Sequence, residues 1–196
     1  WSNTGKFLVE HGLRETWAVK GREWAPHIAK VGSNYVAYYT QNDKYGEGAI
    51  GVSINSDIRR RRFEQVWDEP LAQAGHGGVI DPSFFKDPRS KKNYLLYKFN
   101  GNAVGLNSKI IIRELNHKGL NFERGSRERV LKVGGKTGTD LIEGQELIKQ
   151  GSYYYLFYSV GAWNGNYRVK VARSKKIYGP YKGERVILSK SPNERF

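Results

Sequence analysis

Two carboxylates in this chain stand where a carboxylate is costly. Asp81 lies in the run VIDPSFF and Glu143 in LIEGQEL, each just before or within an apolar, strand-like stretch. An ionised side chain in such a place destabilises a fold unless it is paired, hydrated or put to use. Two carboxylates facing one cavity suggest cleavage of a glycosidic bond, with one of them raised in pKa to protonate the leaving oxygen. A purely structural account is also open. In it, Asp81 caps a turn before Pro82 and Glu143 pairs with one of the many lysines.

Bringing these two acids together requires strands that start far apart in sequence and meet in space. Strand composition marks Tyr35–Thr40, Tyr94–Phe99, Lys109–Leu115, Tyr153–Ser159 and Tyr167–Arg173, each bounded by Gly, Asn, Ser or Lys turns. No window of about 11 residues holds a clean helical period free of glycine or proline. Phe63–Gln73 comes nearest, and Pro70 spoils it. The chain therefore reads as all-β. Three segments can be laid over one another: WAPHIAKVGSNYVAYYT, IDPSFFKDPRSKKNYLLYKF and IEGQELIKQGSYYYLFYS. Their starts at 24, 80 and 142 are 56 and 62 residues apart. A four-stranded antiparallel unit with its turns needs about 40–60 residues, the size of a propeller blade. First strands of blades line the central axis, so His27, Asp81 and Glu143 are expected to converge at one end of it. A β-sandwich explains the strands but not the three matched segments. No linker or composition shift divides residues 1–196, which read as one domain.

Composition narrows the function classes. With 33 Lys and Arg against 19 Asp and Glu, the net charge is +14, which points to an anionic partner or surface. The excess is spread along the chain, apart from the run Arg59–Arg62, a solvated basic turn or an anion patch. The absence of cysteine excludes disulfides and thiolate sites. No run approaches the about 18 apolar residues of a membrane-spanning helix. WSNTGKFLVEHGLRE lacks the apolar region of a signal peptide. Aromatic residues make up 13% of the chain, which argues against disorder. Methionine is missing even at position 1, so a processed product or an excerpt of a longer protein is expected. Gly135-Lys136-Thr137 lacks the rest of a phosphate loop. His11, His27, His76 and His117 have no zinc spacing, and no metal site is expected.

Four segments, WAPHI, GGVIDPSFFKD, IEGQELIKQGSYYYLFYS and YRVKVARSKKIYGPY, resemble glycoside hydrolase family 43 in that family's order, over nearly the whole chain. GVSIN at 51–55 and IRELNHKGLNFE are smaller echoes. The resemblance implies a five-bladed β-propeller, of which this chain would supply about three blades plus parts of two others. It also implies an inverting acid/base mechanism on arabinose-, xylose- or galactose-containing polysaccharide. Asp81 would be the pKa tuner that also orients the acid, and Glu143 the general acid. The general base belongs to a D-P strand upstream of a tryptophan that resembles Trp1, and it has no counterpart in this chain. A chain without it keeps a sugar pocket and loses most turnover. The alternative is therefore a non-catalytic glycan-binding propeller, favouring anionic glycans.

His27, where many relatives carry an acid, is either a neutral donor to substrate or a satisfied histidine at the cavity rim. Trp24, Phe84 and Trp163 are candidates for stacking on a sugar ring, with core or inter-blade packing as the other reading. The expected partner is an oligo- or polysaccharide, with the missing blades coming from the same or another chain. No membrane partner is expected, and nucleic acid is a remote third reading. No cofactor is expected, and a structural calcium ion is left open. The resemblance alone points to an extracellular or secreted protein.

Overall fold

The computed structural model describes residues 17–60, 63–162 and 165–189. Five strands come first: β1 (Ala18–Val31), β2 (Asn34–Asp43), β3 (Gly48–Asn55), β4 (Glu64–Gln65) and β5 (Ala72–Gln73). Then follow β6 (Val79–Lys86), β7 (Asn93–Phe99), β8 (Lys109–Leu115) and β9 (Arg129–Val133). The last four are β10 (Ile142–Gln150), β11 (Tyr153–Val160), β12 (Arg168–Ser174) and β13 (Lys182–Ser189). Among the described residues, the helical pieces are short 3-10 turns at Ile58–Arg60, Gly101–Val104 and Gly138–Asp140. The all-β expectation holds.

The strands form three antiparallel sheets, each filled in chain order: β1–β5, β6–β9 and β10–β13. The three matched segments supply the first two strands of the three separate sheets, as their repeat implied. The first sheet departs from four strands because its last position is split. β4 pairs with β3 at Ser53 and Ile54, and β5 with the same strand at Ala49 and Ile50. Leu71 still donates its N–H to Ile50, so the chain returns to the same edge just after Pro70. Two of the hairpins turn on Gly-Ser pairs. Gly32 and Gly151 take φ of +62° and +53°, which a side chain would disfavour.

Apolar contacts join the sheets face to face. Val36, Tyr38, Ile50 and Val52 of the first sheet pack on Phe84, Leu95, Tyr97 and Ile111 of the second. The other face of the second sheet, with Tyr94, Leu96, Ile110 and Ile112, packs on Leu147, Tyr154, Leu156 and Tyr158 of the third. A sheet covered on both sides needs apolar residues at consecutive positions, which is why YLLYKF and KIIIREL do not alternate. Among the described residues the sheets do not close into a ring. Residues 1–16 and 190–196 lie outside the described residues.

Candidate functional site

The first strand of each sheet breaks register at the same place. Trp24 faces Thr40 and then His27 faces Tyr38, Ile80 faces Lys98 and then Ser83 faces Leu96, and Glu143 faces Ser159 and then Glu146 faces Phe157. In each case three residues advance against two, the signature of a β-bulge. The residue opening each bulge has positive φ: Ala25 at 41°, Asp81 at 56° and Gly144 at 58°. Held this way in a strand, Ala25 and Asp81 each store about 1–3 kcal/mol of strain, of the kind that gathers at functional sites.

This register refines the overlay of the three segments. His27, Asp81 and Glu143 do meet at one cleft, but they are not equivalent positions. Glu143 matches Trp24 and Ile80, Asp81 matches Ala25 and Gly144, and His27 matches Ser83 and Glu146. The bulge is the same in all three strands, so the mismatch is one residue in where the third segment starts: the sheet register aligns Trp24 and Ile80 with Glu143, not with Ile142.

A cleft of about 380 Å³ lies where β1, β6 and β10 meet, lined by His27, Asp81, Ser83, Glu143, Glu146 and Tyr167 among others. The Gly144 N–H donates to Oδ2 of Asp81 at 3.1 Å, and the Asp81 N–H donates to Thr40 Oγ1 at 3.0 Å. The side-chain amide of Gln145 donates to the Asp81 carbonyl. Three bonds thus hold the bulge of β6 against β2 and β10. The Asp81 carboxyl is pushed above its ordinary range by burial. The Gly144 N–H opposes that shift, nearby Glu143 adds to it, and Lys98 opposes it.

Glu143 is held through both oxygens. Lys98 Nζ donates to Oε2 at 3.0 Å, and the Tyr167 hydroxyl donates to Oε1 at 3.1 Å. Burial, with help from Glu143, pushes Tyr167 up to about 12, so it stays a donor at neutral pH. Lys98 follows Tyr94 and Leu96 on the face of β7 turned to the third sheet, and its side chain is 1% exposed. An ammonium buried to that degree needs a fixed partner. Lys98→Met is expected to lower unfolding stability by about 1–3 kcal/mol in chemical denaturation, since Glu143 loses a charge-assisted bond. In a Glu143→Gln background the same change should cost far less, because Lys98 there has already lost its counter-ion.

One step beyond the acids, Ser83 Oγ donates to Oε2 of Glu146 at 2.5 Å, and His27 Nδ1 lies 4.0 Å from the same oxygen. Burial lowers the pKa of His27, against the pull of Glu146.

The proposed stacking residues fare differently. Phe84 does not face the cleft. It alternates with Ser83, so it points between the first two sheets, where it is buried and stacked on Tyr38 with ring centroids 5.9 Å apart. The sugar-stacking role expected of it is replaced by packing. Phe84→Ala should accordingly cost about 3–5 kcal/mol in denaturant unfolding. Trp24 is 47% exposed and adjoins Ala25, which lines the cleft. Trp163 lies outside the described residues.

Lys98, Tyr167, Ser83 and Glu146 were missed from sequence. Only Lys98 left a clear signal, as a lone charge inside the buried run YLLYKF.

Like sheets in chain order, whose first strands meet at one polar cleft, are the layout of propeller-type all-β proteins. A family model for glycosyl hydrolases family 43 matches residues 1–196, and the chain belongs to that family. It is similar to xylosidase/arabinosidase 43B of Humicola insolens, at 28% identity over 161 residues, covering 81% of this chain and 28% of that protein. It is also similar to the extracellular exo-α-(1→5)-L-arabinofuranosidase of Cellvibrio japonicus, at 27% identity over 190 residues, covering 87% of this chain and 54% of that protein. Among solved structures, a thermostable family-43 glycoside hydrolase superposes with a TM-score of 0.72 at 19% identity, over 95% of this chain and 59% of the other. That superposition supports the fold. The chain thus spans little more than half the length, or less, of these relatives.

Proposed function

We propose that the full-length protein hydrolyses O-glycosidic bonds in arabinose- or xylose-containing polysaccharide, with galactose-containing glycans as a further candidate, by inversion. The observation that carries this reading is the pair Asp81 and Glu143 in one cleft, joined through the Gly144 N–H, in a chain of family 43. Glu143 acts as general acid and protonates the leaving oxygen. Asp81 orients it through the Gly144 backbone and tunes it by charge. The general base is to be sought in the sequence preceding Trp1, in keeping with the resemblance. The three sheets are read as blades of a five-bladed propeller, completed by the same or another chain. The extracellular name of the Cellvibrio relative favours secretion.

The test is to incubate the full-length protein with arabino-, xylo- and galacto-oligosaccharides and measure release and binding together. Release of shorter sugars supports the reading. Binding without release favours the glycan-binding alternative.

A further inference from the structure

The acids leave one polar layer of the cleft without a role. His27, Ser83 and Glu146 hold the same register position on β1, β6 and β10, and all three line the cleft. The repeated bulge sets this layer, because it restores normal pairing at those three residues. Ser83, itself 3% exposed, anchors Glu146 by one oxygen, and His27 approaches that oxygen. The Glu146 side chain remains 45% exposed and that of His27 28%, so both are reachable from the cleft.

We propose that His27 and Glu146 form a subsite that binds a neutral sugar through two adjacent ring hydroxyls, and that Glu146 turns away uronic acid and sulfated sugars. This rests on the reading that the cleft takes a sugar. A carboxylate accepts a hydrogen bond from one hydroxyl, and an imidazole exchanges one with its neighbour. Burial keeps His27 on the neutral side, so its ring adds no cation to offset the carboxylate. Among the described lining residues the charged groups are Asp81, Glu143 and Glu146. Lys98 is buried and occupied by Glu143. The cleft is therefore anionic although the whole chain carries +14. A carboxylated or sulfated sugar would meet like charge there. The basic surface and the ligand preference of the cleft are thereby separate properties.

The experiment uses the full-length protein with Glu143 intact, so that Lys98 keeps its partner, and calorimetry against uncleavable thio-linked arabinotriose and xylotriose and against trigalacturonate. At least one neutral trisaccharide should bind about 10-fold or more tighter than trigalacturonate. Adding Glu146→Gln should weaken neutral binding about 10-fold and narrow the gap to trigalacturonate. Adding His27→Phe should weaken neutral binding without narrowing that gap, which keeps a second test should Glu146→Gln fail to fold. The proposal is overturned by neutral binding indifferent to both changes, by trigalacturonate binding as tightly as the neutral sugars, or by no binding of any of them. The hydrolase reading is judged separately, by cleavage of the O-linked oligosaccharides. Binding without cleavage removes that reading and leaves this subsite standing.

Discussion

Glu143→Ala in the full-length protein should cut turnover of oligosaccharides by up to about 10⁴-fold, the upper range for loss of a positioned general acid. The loss should depend on the leaving group. A sugar hydroxyl leaves poorly and needs a proton in the transition state. An activated aryl group leaves as a stable anion, so an aryl glycoside should lose far less. KM should change little, because the carboxyl acts mainly in the transition state. Folding should survive at reduced stability, because the buried Lys98 loses its counter-ion. Glu143 lies at a cleft and outside the two apolar clusters that hold the sheets together. Steady-state rates on paired natural and aryl substrates check this. Equal losses on both would remove the acid role.

Asp81→Asn should lower kcat by about 100-fold or more, since the acid loses a charged neighbour that tunes and orients it. It should also raise thermal stability at neutral pH. The folded Asp81 carboxyl lies above the ordinary aspartate value, chiefly through burial, so the folded state binds this proton more tightly than the unfolded chain does. Its contribution to stability is full below that value and is lost as pH rises through the folded value. At pH 7 the wild type carries an unfavourable buried charge that asparagine removes. Asparagine also tolerates the φ of 56° and keeps an oxygen for the Gly144 N–H. Melting curves from about pH 3 to 8 should show the variant ahead at neutral pH and the two converging in acid. A variant less stable at pH 7 would contradict the burial argument.

Much of the fold was readable because sheets packed on both faces write themselves as long apolar and aromatic runs. All five strands marked by composition exist, within one residue at their ends except β2, which runs three residues beyond Thr40. β13 was not marked, because its residues Lys182–Ser189 are all exposed and carry no burial pattern. β4 and β5 are two residues each, too short to show a period. The two acids were found because a carboxylate in an apolar strand start is conspicuous. Their one-residue offset was not, because Ile80 and Ile142 look alike in sequence while the sheet register matches Ile80 with Glu143. Whether Phe84 stacks on sugar or packs could not be decided, because strand parity after a bulge cannot be counted from the sequence. Lys98 and Tyr167 reach Glu143 from 45 and 24 residues away, and such contacts exist only once the sheets stack.

The central claim is a hydrolysis in which Glu143 serves as acid and an upstream carboxylate as base, on opposite faces of the sugar. Its most direct test is proton NMR of the anomeric signals during the first turnovers of arabino- or xylo-oligosaccharides by the full-length protein. The account predicts that the released sugar first appears with inverted configuration and only later reaches its equilibrium mixture. First appearance with retained configuration, or no released sugar under conditions where the oligosaccharide binds, would contradict it.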